Sequence, residues 1–388
     1  MLPKFQTLNG IYLHMPFCKS ICPFCAFSVL PDQPKKHANY LHLIQNELAL
    51  LEKELQADFS KTNTVYLGGG TPSLIAINEL KSIMDRLKSL VTNPACQWSI
   101  EINPEDGNLK YLENLVSLGF NRFSIGIQSF NPATLESIQR NHTVKHCHSV
   151  LNRVQQINLT DFNVDIMFGI PGQTIHDLEK DLCIALEYDP THISAYILNI
   201  EPKTKLNRKP EWRKWQIEHE SLIAEQYKKV IEILSQNGLQ QYEVSNFSKP
   251  GFESKQNIIN WKGKYYLGIG LGAHSFINNC RWGNFRRWKE YQQNLKKEDL
   301  PIEFFDPLTI SQLRDEYLMI NLRLIDGINL DIFKTNFNCK LEQYCQKTID
   351  QMKGQGLIIL QNNQLKLSTN GMLLTDEITL KLCTMLPD

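Results

Sequence analysis

Six times in its first two hundred residues the chain repeats one pattern: a short apolar run, then a stretch with large aliphatic residues at helical spacing. The runs cover residues 11–15, 64–67, 98–102, 123–127, 163–167 and 192–198. After the first, Leu41, Ile44, Leu48, Leu51 and Leu55 recur at three- and four-residue steps, which is one face of a helix. Strands linked through helices become parallel neighbours, so six units in series predict a parallel α/β sheet covered by helices. The pattern leaves a barrel and a doubly wound sheet both open. In either, polar residues at the C-terminal strand tips build the site. Those tips carry Gly68-Gly69-Gly70-Thr71, Glu101, Gln128 and Asp165.

At 388 residues with 42% hydrophobic and 21% charged side chains, the chain has enough apolar material for a large core and is not a disordered polymer. Forty-one Lys and Arg balance forty-one Asp and Glu, which disfavours a general polyanion-binding surface. No segment approaches the roughly 18 apolar residues of a membrane span. Residues 1–6 lack the basic start and apolar run of a secretory signal. Past residue 200 the pattern changes. A basic stretch from Lys203 to Lys214 precedes a long helix expected over 215–234, and Gly268-Ile269-Gly270-Leu271-Gly272 follows. From about Asp306 the order is three helices, strands over 357–360 and 364–367, and a last helix, the order of a small winged-helix-like module. The expected domains are 1–205, the parallel α/β unit; 206–300, a helical and Gly-rich extension packing on it; and 301–388, the C-terminal α+β module.

Cys18, Cys22 and Cys25 form C-x3-C-x2-C behind the first strand. Three thiolates on one loop hold three irons of a [4Fe–4S] cubane and leave the fourth open to a small molecule, whereas electron-carrying clusters usually have a fourth thiolate. Zinc asks for a fourth protein ligand or a water, and the nearest candidate, His14, precedes Cys18 on a strand. Phe17, Ile21, Phe24 and Phe27 would shield a cluster from water. Three clustered thiols also point to metal ligation in a reducing cytosol rather than to disulfides. Cys96, Cys147, Cys183, Cys280, Cys339, Cys345 and Cys383 are scattered and read as small apolar residues or free thiols.

This cysteine spacing, with Phe24 before the third cysteine, resembles the signature of the radical S-adenosylmethionine (SAM) superfamily. The resemblance implies a partial (β/α)6 TIM-like barrel, and SAM bound through its amino and carboxylate groups to the open iron. It also implies one-electron cleavage of the sulfonium to a 5′-deoxyadenosyl radical. Further stretches are similar to the coproporphyrinogen dehydrogenase and HemW heme-chaperone family. They are Tyr12-Leu13-His14-Met15-Pro16-Phe17-Cys18, Gly68-Gly69-Gly70-Thr71-Pro72-Ser73, Glu101-Ile102-Asn103-Pro104, residues 122–130, residues 165–173, Ile193-Ser194-Ala195-Tyr196 and Gly270-Leu271-Gly272-Ala273-His274-Ser275. The family places SAM against Gly69, Gly70, Thr71, Glu101, Gln128, Arg140 and Asp165, with Tyr12 and Phe24 flanking the cluster. A forked guanidinium such as Arg140 suits a carboxylate. Polar packing or a salt bridge is the plain alternative for each of these side chains, a core histidine the plain one for His14. No catalytic residue stands out.

Two features favour the heme-chaperone type within this family. Oxygen-independent coproporphyrinogen III dehydrogenases carry another cysteine two residues after the third, where this chain has Phe27, and they have an extension ahead of the cluster. One feature opposes it. Chaperones of this type carry His-Asn-x-x-Tyr-Trp, whereas this chain reads Gln256-Asn257-Ile258-Ile259-Asn260-Trp261, and glutamine is a poor substitute for an axial histidine. The basic and aromatic run 281–289 suits propionates and a macrocycle, but reads more simply as an amphipathic surface helix. A nucleic-acid-binding role for the C-terminal module is opposed by eight Lys/Arg against ten Asp/Glu from residue 306 onward. The expected ligands are therefore a [4Fe–4S] cluster, SAM and heme or a porphyrinogen. The expected partners are a target hemoprotein and a flavodoxin-like or ferredoxin-like electron donor, in the cytoplasm.

Overall fold

The computed structural model describes residues 7–387; the reading of residues 1–6 lies outside them. The chain opens with β1 (Gly10–Met15), β2 (Phe17–Cys18) and β3 (Leu30–Pro31), followed by helix α1 (His37–Leu55). Then come β4 (Thr64–Gly69), α2 (Ile77–Leu90), β5 (Gln97–Ile102), α3 (Leu109–Ser117) and β6 (Arg122–Gln128). Helices α4 (Pro132–Ser137) and α5 (Val144–Gln156), strand β7 (Phe162–Phe168), helix α6 (Ile175–Leu186) and strand β8 (His192–Ile197) complete this half.

In space, β1, β4, β5, β6, β7 and β8 lie side by side in their chain order, each pair parallel. A doubly wound sheet reverses direction part-way. This sheet does not, so it is the arc of a (β/α)6 barrel. The helix faces read from the sequence pack on it: Leu41, Ile44, Leu48, Leu51 and Leu55 of α1 are all buried, each worth about 1.5–3 kcal/mol of burial. Beside the apolar core lies a buried polar knot. Asn163 donates to Ser124 Oγ at 2.8 Å and accepts from Ser194 Oγ at 3.0 Å, and its Oδ1 lies 2.7 Å from His192 Nδ1.

Helices α7 (Pro210–Glu218) and α8 (Glu220–Gln236) replace the single long helix expected over 215–234. The break falls at His219, whose φ is −120° and whose ring stacks on Trp215 and bonds its carbonyl at 2.8 Å. Strands β9 (Gln240–Glu243) and β10 (Asn246–Ser248) extend the sheet past β8. After α9 (Lys255–Trp261), strand β11 (Tyr266–Ile269) joins parallel to the free edge of β1. Strands β12 (His274–Ile277) and β13 (Cys280–Asn284), helix α10 (Trp288–Lys296) and strand β14 (Ile302–Pro307) follow, and the three strands continue the sheet outward as an antiparallel meander. The stretch 281–289 is thus not one surface helix. Its first half pairs on both sides and buries Trp282.

The C-terminal module contains α11 (Ile310–Asn321), β15 (Ile328–Asn329), α12 (Leu330–Phe337), α13 (Leu341–Gly354), β16 (Ile358–Gln361), β17 (Gln364–Leu367), α14 (Thr369–Met372) and α15 (Thr375–Cys383). Its three strands form a separate antiparallel sheet in the order β15-β17-β16. No helix among the described residues is long and apolar enough to cross a membrane.

Candidate functional site

The cysteine loop is pinned at both ends. Strands β2 and β3 pair in parallel, Leu30 N donates to Pro16 O at 2.7 Å, and Asp32 N donates to Cys18 O at 2.9 Å. Within the loop Cys25 N donates to Cys22 O at 3.1 Å, a tight turn that brings two thiols to one side. Two outside contacts hold the crest. Leu206 N donates to Pro23 O at 2.8 Å, and His14 Nε2 lies 2.7 Å from Ser28 O. Burial lowers the His14 pKa to about 4, so the ring is neutral and its Nδ1 accepts from the Tyr12 hydroxyl at 3.0 Å. Phe24 packs against a small apolar cluster that includes Met167, Leu198 and Trp212.

Above the strand tips lies a cavity of about 440 Å³, within the range of small-molecule sites. Its wall contains Cys18, Cys22, Cys25, Phe24, Gly69, Gly70, Thr71, Glu101, Gln128, Arg140 and Asp165. Of the residues singled out in the sequence, Tyr12, His14 and Gly68 are not on that wall. The Tyr12 ring stacks on Tyr66 at 6.2 Å between centroids, and it supports the site from below. Asn103 and Tyr196, quoted in the family motifs but given no role, and Gln139 and Asn141, which sequence reasoning missed, also line the cavity. Tyr196 sits on the tip of the sixth strand, the one signal that would have found it.

The turn after β4 is built by close approach. A Cβ at Gly70 would lie 2.7 Å from both Met15 O and Phe17 O, so only glycine lets the tip abut the cysteine segment. Gly70 N donates to Met15 O at 2.7 Å and Thr71 N to Phe17 O at 2.8 Å. Thr71 Oγ1 then reaches Cys18 Sγ at 3.6 Å. Gly69, with φ +110°, aims its N–H at Glu101 Oε2, 3.0 Å away, and Tyr66 donates to Glu101 Oε1 at 2.9 Å. Burial is the main cause that raises the Glu101 pKa to about 7; those hydrogen bonds pull it back and Asp165 adds to the rise. Asp165 accepts from Asn163 Nδ2 at 2.6 Å and is raised to about 6, again chiefly by burial.

Gln128 ends β6 in the left-handed region, φ +70°, where a bulge shifts the β6–β7 register. A non-glycine residue held there stores strain of order 1–3 kcal/mol, a common mark of a functional position. Arg140 spans the gap. Its Nη2 donates to Gly126 O at 3.0 Å, its Nη1 reaches Cys22 Sγ at 3.4 Å, and its buried Nε has no partner. The guanidinium lines the cavity, where its forked donors suit an anionic group.

The chemistry of these donors suits a cubane. Among the described residues no three His, Cys, Asp or Glu side chains are arranged to share a single ion, whereas a cubane takes each thiolate on a different iron. The other seven cysteines are unpaired; Cys96, Cys147, Cys339 and Cys345 are buried, and Cys183 is exposed. The segment 256–261 forms most of α9, at the opposite end of the barrel. A Cβ on Gly10, at the start of β1, would lie 3.3 Å from Gln256 Oε1 and 3.1 Å from Thr64 Cγ2. Gln256 is only 5% exposed.

Residues 12–182 match the radical SAM superfamily, and residues 310–374 match the HemN C-terminal domain. The chain is 30% identical to the heme chaperone HemW of Bacillus subtilis over 96% of its own length and 98% of the relative's. It is 30% identical to that of Mycobacterium tuberculosis, over 95% and 93%. A mitochondrial radical SAM domain-containing protein 1 of Danio rerio is 29% identical, over 97% and 87%. The solved structure of coproporphyrinogen III oxidase (HemN) from Escherichia coli superposes with a TM-score of 0.80 at 21% identity, covering 98% of this chain and 91% of that one. That likeness speaks to the fold.

Proposed function

We propose a function from one premise: the chain belongs to the HemN/HemW-like family of radical SAM proteins, and it acts as a heme chaperone that binds heme and hands it to target hemoproteins. The observation that carries this reading is the match to heme chaperones along 96% of the chain. Phe27 supports it, because it stands where the dehydrogenases carry a further cysteine.

In this reading Cys18, Cys22 and Cys25 hold a [4Fe–4S] cluster and the cavity takes SAM. When bound, a reduced cluster with one open iron supplies a single electron to a sulfonium. The chain's own part is to hold and orient. Arg140, braced on Gly126 O, offers its guanidinium to a carboxylate in the cavity. Glu101, fixed by Tyr66 and Gly69, and Asp165, fixed by Asn163, present acceptors to ammonium and hydroxyl groups. Gln128 and Thr71 add polar contacts beside the thiols, Gly69 and Gly70 bring backbone close to the ligand, and Tyr12 braces Tyr66. Phe24 and Met167 keep water from that side. Barrel 1–205 carries the cofactor site, extension 206–300 packs beside it, and module 301–388 covers it. The remaining partners in this proposal are a flavodoxin-like or ferredoxin-like electron donor and an apo-hemoprotein, met in the cytoplasm.

Anaerobic reconstitution tests the cofactor half: the EPR spectrum of the reduced cluster should change on adding SAM, and an unchanged spectrum would count against an open iron. Hemin transfer to an apo-hemoprotein tests the other half. Absence of transfer, together with decarboxylation of coproporphyrinogen, would hand the case to the dehydrogenase.

A further inference from the structure

The burial of Gln256 on α9 raises a question that the heme-chaperone reading leaves open: which side chain meets the heme iron. Gln256 itself is buried under the strand starts, beside Gly10, and an amide is a poor axial ligand. A different residue has the right chemistry and exposure. The chain has ten histidines, and nine direct a ring nitrogen at a polar partner. His274 is the exception among the described residues. It is half-buried, and its ring meets that of Phe304 edge-on, at 5.4 Å between centroids and 66° between planes.

The strands explain that contact. His274 of β12 is in register with Gly283 of β13, and Gly283 with Phe304 of β14, so the three share one face of the meander. Gly283 has no side chain, and any Cβ there would strike the Phe304 ring. The Phe304 ring therefore tips across the gap toward His274, and it remains 39% exposed. At the edge of this shelf stands Arg286, exposed and without an ion pair among the described residues. The shelf abuts the outer flank of the cysteine loop. A Cβ on Gly272 would lie 2.5 Å from Ser28 Oγ and 3.4 Å from Arg286 Cγ.

We propose that His274 is the axial ligand of a ferric heme lying across β12–β14, with Phe304 against the macrocycle and Arg286 on a propionate. The proposal rests on the heme-chaperone reading and names its ligand site. The occupant follows from the chemistry of the shelf: a nitrogen lone pair for iron, an exposed aromatic face for a flat apolar ring, and an unpaired guanidinium for a carboxylate. The bond uses the imidazole lone pair, so no electron changes hands.

The test is hemin titration of the cluster-loaded protein, in which the thiols of Cys18, Cys22 and Cys25 are already occupied, read by the Soret band and by ferric-heme EPR, which separates nitrogen from thiolate ligation. Wild type should bind with a nitrogen-ligated signature. H274A should lose that signature and regain it with added imidazole, and R286E should weaken binding by about tenfold. An H274A spectrum identical to wild type overturns the assignment while leaving the chaperone reading intact. R286E with wild-type affinity overturns the shelf even if H274A does not fold. A wild type that binds no hemin removes the chaperone reading and this site together.

Discussion

Replacing Gly70 by alanine adds one methyl group where β4 meets the cysteine segment. That methyl would sit 2.7 Å from two carbonyl oxygens, against the 3.4 Å at which ordinary contact begins, so backbone must move by about 0.7 Å. Neither neighbour is the flexible end of a side chain; both oxygens also accept the short N–H bonds that hold the turn. Overpacking of this kind costs about 1–3 kcal/mol, and two weakened backbone hydrogen bonds add about 1 kcal/mol each. A loss of roughly 3–5 kcal/mol follows, which in a chain of this size lowers the melting temperature by about 4–6 °C. The same shift carries Thr71 away from Cys18 Sγ, so the variant should retain less iron after anaerobic reconstitution. Differential scanning fluorimetry and iron and sulfide analysis read the two effects. Unchanged melting with full iron content would refute the claim that this turn positions the cluster loop.

Cys22→Ser should abolish cluster retention, and iron and sulfide equal to wild type would refute its assignment as a ligand. Glu101→Gln puts an amide N–H where a carboxylate oxygen accepts from Tyr66 or Gly69, at a cost of about 1–3 kcal/mol. SAM affinity measured by equilibrium dialysis should fall by about tenfold or more, and a change under about twofold would remove Glu101 from the site. Glu47 of α1 is buried and accepts from Gly270 N, Tyr291 and Asn284. Burial raises its pKa from 4.5 to about 7. The folded state therefore holds the proton more tightly than the unfolded chain. The resulting stability is full below pH 4.5 and is lost as pH rises through about 7, on the order of 3 kcal/mol in all. Glu47→Gln should flatten that part of the urea-midpoint curve, and an unaltered slope would contradict it.

Much of the site was legible because its residues occupy strand tips, and strand tips show in an apolar run followed by a glycine or a charge. Gln128 and the Gly68-Gly69-Gly70 turn were found that way, whereas Asp165, expected at a tip, lies in the middle of β7 with three strand residues after it. The left-handed φ of Gln128 was not, since glutamine carries no local signal for it; the β6–β7 bulge imposes it. The run 281–289 misled for a related reason. Its alternation of basic and aromatic residues suits a helix face as well as a strand, and pairing with β12 and β14 decides for the strand. The break at His219 likewise depends on its own ring folding back onto Trp215.

Taken alone, the sequence determined what is local: the six strand-and-helix periods, the spacing of Cys18, Cys22 and Cys25, and most of the helix and strand order of the C-terminal module, which lacked only β15 and the division of the last helix into α14 and α15. Periodicity and spacing act over a few residues, where covalent geometry limits the choices. Only the tertiary structure decided between an arc and a doubly wound sheet, brought Arg140 to Cys22 across 118 positions of chain, sent α9 to the far end of the barrel, and set His274 beside Phe304. These depend on which distant surfaces bury each other, and no short window of residues contains that information.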